Sequence, residues 1–377
     1  MTIDYRPGLY IHIPYCVRKC AYCDFCSFPI ASGDGLEPYI DALIREAESY
    51  SGMIDRPFST LFIGGGTPSL LSGDMMGRLL DRLSVIFPLS SDCEVTMESN
   101  PGTLCRDSLL AYRSAGINRL SIGLQSVNDN ELRALGRIHS YRDFLSSYEW
   151  AGDAGIDNIN VDLMYGIPEQ TPDSFERSLR AVAKLRPNHI SCYGLILEPG
   201  TPLYRMKDSL TLPDEDVECD MYEMACRLLP EYGYEHYEIS NYARDRAYSA
   251  HNLKYWNDCE YIGLGLSAHS YFLGKRYSNS VDMANYLADP RPQYMREDVP
   301  LLSAEDEEFE YGMLNLRLRW GLSLTDFKRR FGHSFTDGRM DTLGKFQNMG
   351  LLQISDERVY FTERGMYLSN DLLSEIL

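Results

Sequence analysis

Six short stretches alternate apolar with polar residues, and each precedes a segment whose apolar positions recur every three to four residues. Leu9, Ile11 and Ile13 alternate with Tyr10 and His12, which predicts a strand that Pro14 ends. Further strands are predicted at 60–63, 93–98, 119–125, 158–163 and 189–193. Helices are predicted at 37–50, 72–87, 105–115, 129–135, 141–154 and 173–184, the first with Tyr39, Ile40, Leu43 and Ile44 on one face. The segment at 33–37 reads as a turn. Six strand–helix units in a row imply an α/β fold with a parallel sheet and helices outside. The right-handed crossover rule curls such a sheet into a partial (β/α)6 barrel.

Past residue 200 the pattern changes. A helix is predicted at 214–231, with Asp214, Glu215 and Asp216 suited to its N-terminal dipole. The aromatic stretch at 233–243 reads as strand, 261–270 as a glycine-rich turn and 290–300 as a linker. Helices at 304–318, 323–331 and 338–349, a hairpin around Ser355-Asp-Glu and a last helix from Thr362 resemble a winged helix. The expected domains are a barrel core over 1–200, a barrel extension over 201–299, and a C-terminal, mainly helical, winged-helix-like domain over 300–377.

In parallel barrels the chemistry sits at the C-terminal ends of the strands. The candidate groups fall there in succession: Cys16, Cys20 and Cys23 after the first strand, Gly64, Gly65, Gly66 and Thr67 after the second, Glu98 after the third, Gln125 after the fourth, Asp162 and Tyr193 at the ends of the fifth and sixth. Three cysteines spaced C-x3-C-x2-C can face one metal cluster. Arg18 and Lys19 between them favour the thiolate that binds metal. A disulfide framework belongs to small secreted domains, and a structural zinc site wants four ligands, usually in two separated pairs. An iron–sulfur cluster held by three cysteines, with one iron open, is the favoured reading. The spacing resembles the cluster loop of radical S-adenosylmethionine (SAM) proteins.

Composition narrows the function classes. The 377 residues suffice for a large core and about two domains, with 44% hydrophobic residues. No run of 18 apolar residues marks a transmembrane helix, and the first eight residues lack the apolar core of a signal peptide. Ten cysteines without such a signal read as cytoplasmic thiols and metal ligands. A net charge of −19 argues against nucleic-acid binding and against adhesion to anionic lipid by charge alone. The C-terminal region carries nine basic and thirteen acidic side chains, which disfavours DNA reading by its winged-helix-like elements.

Seven segments together resemble the family of oxygen-independent coproporphyrinogen III oxidases and their haem-chaperone relatives: Tyr10–Cys23, Gly64-Gly-Gly-Thr-Pro-Ser-Leu, Glu98-Ser-Asn-Pro101, Ser121-Ile-Gly-Leu-Gln-Ser, Leu135-Gly-Arg-Ile-His139, Asp162-Leu-Met-Tyr-Gly-Ile-Pro168 and His251–Trp256. The resemblance implies a 4Fe–4S cluster on Cys16, Cys20 and Cys23. It also implies SAM held by the Gly64–Thr67 turn, Glu98, Gln125, Arg137 and Asp162, with Gly166–Pro168 at the adenine. The oxidases place a fourth cysteine two residues after the third. Here that position is Phe25, as in the chaperone branch, and Cys26 lies one place further on. Only nine residues precede Tyr10, whereas the oxidases carry a long N-terminal extension. His251-Asn-x-x-Tyr-Trp is similar to a motif implicated in haem binding in that branch, which makes His251 the expected axial ligand. His139, His236 and His269 read as ordinary core or surface side chains.

The resemblance therefore implies a cytoplasmic haem chaperone that binds the cluster, SAM and haem. Its partners would be haem-accepting proteins and an electron donor, with room for peripheral membrane association. The alternative is radical decarboxylation of coproporphyrinogen III, with Tyr10 near the cofactor. A third class is radical attack on another tetrapyrrole, such as haem ring-opening.

Overall fold

A computed structural model describes residues 3–30 and 35–377. The expected turn at 33–37 falls partly outside them, at residues 33 and 34. Six parallel strands follow each other in chain order: β1 (Gly8–Ile13), β2 (Phe58–Gly65), β3 (Leu89–Ser99), β4 (Arg119–Gln125), β5 (Asn158–Tyr165) and β6 (His189–Gly194). Leu9, Ile11 and Ile13 are fully buried, as their alternation requires, and all seven residues of β4 are buried. Helices α1 (Leu36–Glu48), α2 (Gly73–Ile86), α3 (Arg106–Ser114), α4 (Asp129–Ala134), α5 (Tyr141–Asp153) and α6 (Pro172–Leu185) connect the strands. Their starts are set by local chemistry. Ser72 caps α2 by accepting the Met75 N–H, and Ser140 with Asp143 forms a capping box on α5. Thr171 caps α6, with Pro172 at its first position.

The sheet does not end with the sixth strand. Tyr261–Leu264, expected as a turn, is a seventh parallel strand (β7), which pairs with β1 from Gly8↔Tyr261 to Ile11↔Leu264. Gly263 and Gly265 interrupt its alternation in the sequence, yet tertiary packing demands both. A Cβ at Gly263 would collide with the carbonyl oxygen of His269, and one at Gly265 would meet that of His12 at 2.6 Å. Antiparallel strands extend both edges: His269–Phe272 and Lys275–Ser278 beyond β7, Asn241–Ala243 and Glu235–His236 beyond β6. The result among the described residues is one open eleven-stranded sheet, a partial barrel.

Two buried carboxylates lock the later segments onto the barrel. Glu46 of α1 accepts hydrogen bonds from the Gly265 N–H (2.8 Å), Asn279 Nδ2 (2.6 Å) and Tyr286 Oη (2.6 Å). Asp258 receives Arg276 (3.1 Å) from the barrel side and Arg330 (2.7 Å) from the C-terminal domain. That domain has helices Ala304–Asn315, Leu324–Phe331 and Met340–Asn348 and a small sheet of Leu322–Ser323, Arg358–Phe361 and Leu352–Ile354. The expected linker at 290–300 contains one helical turn, Gln293–Arg296. Among the described residues no helix is long and apolar enough to cross a membrane.

Candidate functional site

Pro14 stops β1, and the chain enters the cysteine loop. A two-residue ladder of Tyr15–Cys16 with Phe28–Pro29 closes the loop. The Ala21 N–H donates to Leu135 O and Ala21 O accepts from the Leu203 N–H, both at 2.9 Å, which ties the loop tip to two later segments. Cys16, Cys20 and Cys23 are free thiols lining one cavity of about 190 Å³. Burial pushes the Cys23 thiol up despite Lys19 nearby, so the loop cations do not by themselves make it a thiolate.

Glu98, Gln125, Arg137 and Asp162 line the same cavity, as do Gly65 and Gly66. The Arg137 guanidinium spans it. Nη1 donates to Cys20 Sγ at 3.4 Å, and Nη2 donates to Asn100 Oδ1 at 2.6 Å and to Gly123 O. Its Nε is buried without a partner. Asp162 accepts from Asn160 Nδ2 (2.7 Å) and Ser121 Oγ (3.2 Å), and burial raises its pKa. Glu98 accepts the Gly65 N–H at 2.9 Å. Burial, then the charge of Asp162, pushes its pKa up to about 7. Gln125 sits at an irregularity of β4 with φ of 73°, a left-handed conformation that turns its side chain to accept from Tyr193 Oη at 3.0 Å.

The three glycines have different reasons. A Cβ on Gly66 would lie 2.6 Å from Tyr15 O, and on Gly65 2.5 Å from the His12 ring. A Cβ on Gly64 would lie 2.9 Å from Glu98 Oε2. Close approach of backbone demands Gly66, and the positive φ of 108° with the His12 ring favours glycine at 65, before any ligand is considered. Gly64 and Thr67 do not line the main cavity. Thr67 Oγ1 instead accepts from Asn100 Nδ2 (2.8 Å), so it acts through Asn100 on Arg137. Asn100 was not singled out as a site residue by the sequence, although it stands inside the Glu98–Pro101 segment. Gly166–Pro168 are not among the residues lining the cavity; Ile167 is buried in an apolar cluster with Leu135, Met164, Leu195 and Leu203, against which Tyr22 and Tyr193 of the cavity wall pack.

The structure buries His251, the expected axial ligand, with both ring nitrogens hydrogen-bonded. His251 is the second residue of the helix Ala250–Trp256 and is 1% exposed. Nδ1 pairs with Thr60 Oγ1 at 2.8 Å and Nε2 with Tyr255 Oη at 2.9 Å, while its ring stacks on Phe62 at 5.2 Å. Burial, then Lys254 and Arg119, push its pKa down to about 3. A neutral ring with both nitrogens engaged has none left for iron. His251→Ala is expected to strand the hydroxyls of Thr60 and Tyr255 and open a void, costing about 2–4 kcal/mol of stability. Thermal or denaturant unfolding reads this, and an unchanged midpoint would contradict it.

A second, larger cavity of about 520 Å³ adjoins the first, sharing Phe25, Gly65 and Glu98 as walls. Tyr10 lines this second cavity, with its hydroxyl 3.0 Å from His12 Nδ1. Among the described residues no three His, Cys, Asp or Glu side chains, the loop cysteines included, are close enough to hold a single metal ion. Three free sulfurs on one loop, a cation against one of them and an unpartnered buried N–H fit a cluster of several irons.

Residues 10–182 match the Radical SAM superfamily and residues 302–368 the HemN C-terminal domain. The chain is 35% identical over 373 residues to "Heme chaperone HemW" of Bacillus subtilis (strain 168), covering 98% of each chain. It is 39% identical over 314 residues to that of Escherichia coli (strain K12), covering 82% of each. The solved structure of the Escherichia coli coproporphyrinogen III oxidase HemN superposes with a TM-score of 0.84 at 24% identity, over 98% of this chain and 90% of that one, which shows a common fold. A radical SAM partial barrel with a HemN-type C-terminal domain, similar over 98% of its length to the Bacillus subtilis chaperone, places the chain in the HemW family of radical SAM proteins.

Proposed function

We propose that this protein is a cytoplasmic haem chaperone. It holds a 4Fe–4S cluster through Cys16, Cys20 and Cys23 and SAM through Glu98, Gln125, Arg137 and Asp162. It takes up haem and passes it to haem-accepting proteins, with an electron donor serving the cluster. The observation that carries this reading is the full-length similarity to proteins named heme chaperones. Phe25, in place of the oxidases' fourth cysteine, supports it over porphyrinogen decarboxylation.

When bound, the cluster supplies an open iron for the amino and carboxylate groups of SAM and an electron for its sulfonium. The chain's own residues hold and orient. Arg137 presents positive charge to Cys20, and Asn100, itself held by Thr67, fixes the guanidinium. Glu98 and Asp162 offer carboxylates to a cationic ligand at the cavity wall.

A cationic ligand selects the ionised form of Glu98. Because that carboxyl titrates near 7, binding releases its proton below that pH, and affinity rises as pH rises through 7. SAM affinity is expected to fall by up to about tenfold per pH unit below 7. Glu98→Gln is expected to flatten this dependence, as read by calorimetry at pH 6, 7 and 8; equal slopes in both proteins would contradict the assignment.

The function is tested by loading the protein with haem, removing free haem, and mixing with haem-depleted acceptor proteins from membrane and soluble fractions. Transfer to a defined acceptor, faster than from serum albumin carrying the same haem, is expected. Haem that stays on the protein in the presence of every fraction would contradict the chaperone reading.

A further inference from the structure

We infer that haem sits in the second cavity, with Cys26 and His269 as its iron donors; this rests on the haem-chaperone reading above. The cysteine loop divides its sulfurs between two spaces. Cys16, Cys20 and Cys23 line the first cavity, and Cys26 lines the second. The division is built in, because His12 Nε2 lies 2.8 Å from Cys26 O and its ring packs against Gly65. The Cys26 backbone is therefore held beside the second cavity, past Phe25, which lines both.

His269 lines the same cavity from the first position of the strand His269–Phe272 and is exposed. Among the described residues, neither its ring nor the Cys26 thiol has a hydrogen-bond partner. His12 lines the cavity too, but both its ring nitrogens are engaged, by Tyr10 Oη and by Cys26 O. His269 and Cys26 thus offer an imidazole and a sulfur, both established protein ligands of haem iron.

The rest of the wall suits a flat apolar macrocycle. Tyr10, Tyr255 and Tyr261 supply aromatic surface, and Tyr255 packs edge-on against Tyr261 at 4.7 Å. Phe25 is 58% exposed, an apolar ring left in water that a porphyrin face would cover. Among the described residues no lysine or arginine lines the cavity. His251 then has a different role: its bond to Tyr255 Oη positions one wall.

The test is anaerobic haemin titration of the full chain with its cluster reconstituted, followed by absorption and paramagnetic resonance spectra. The double variant Cys26→Ser/His269→Ala is expected to keep wild-type cluster iron, to lose the wild-type ligand bands and to bind about tenfold or more weakly. His251→Ala is expected to weaken binding without moving those bands. On wild-type protein, haem is expected to protect Cys26 from iodoacetamide, read by peptide mass spectrometry, which needs no variant to fold. Wild-type bands and affinity in the double variant, or no protection of Cys26, would overturn this site while leaving haem binding intact. A wild-type protein that takes up no haem would overturn the chaperone reading itself.

Discussion

Cys20→Ser is expected to leave the reconstituted protein with little cluster iron and no SAM binding through it. Cys20 is one of three sulfurs on one short loop, and a serine oxygen is a poor substitute for a thiolate on iron. Removal of a direct ligand should exceed the roughly 10–100-fold cost of losing an outer partner. The fold should survive, because no core packing depends on the side chain: Cys20 is only partly buried and its loop is anchored through Ala21. Iron and sulfide content, the broad visible absorption of the cluster and the melting temperature of the metal-free protein separate the two effects. Normal iron content in Cys20→Ser would contradict the ligand assignment.

Arg137→Met is expected to have the next largest effect. The methionine fills a similar volume but removes the donor to Cys20 Sγ and strands Asn100 Oδ1 and Gly123 O inside the cavity wall. The first loss should weaken cluster or SAM retention by about 10–100-fold, and the second should cost about 1–3 kcal/mol of stability. Arg137→Lys keeps the charge but cannot reach three acceptors with one fork, so it should restore little of the loss. Calorimetry of SAM binding to matched cluster loadings measures this. Wild-type affinity in Arg137→Met would remove the residue from the site.

Much of this arrangement was legible in the sequence where the signal is local. Strand alternation around Leu9, Ile11 and Ile13 and the C-x3-C-x2-C spacing each act within a few residues: the three apolar residues are buried, and the three cysteines line one cavity. The misses are tertiary. Tyr261–Leu264 reads as a turn because Gly263 and Gly265 break its alternation, yet the glycines are there for the backbone of His269 and His12. The bond between His251 and Thr60 spans 191 residues and is out of reach of any local pattern. Asn100 gains its part only when the fold places Thr67 and Arg137 on either side of it. Cys26 differs from its three neighbours by the cavity it lines, which spacing alone does not reveal.

The central claim is that this radical SAM barrel carries haem and does not make a porphyrin. The most direct measurement is anaerobic incubation of the cluster-loaded protein with SAM, a reductant and coproporphyrinogen III, with products separated by chromatography. The expected result is no protoporphyrinogen IX above the cluster-free control, from the same preparation that binds haem. Turnover of coproporphyrinogen III to protoporphyrinogen IX would contradict the claim.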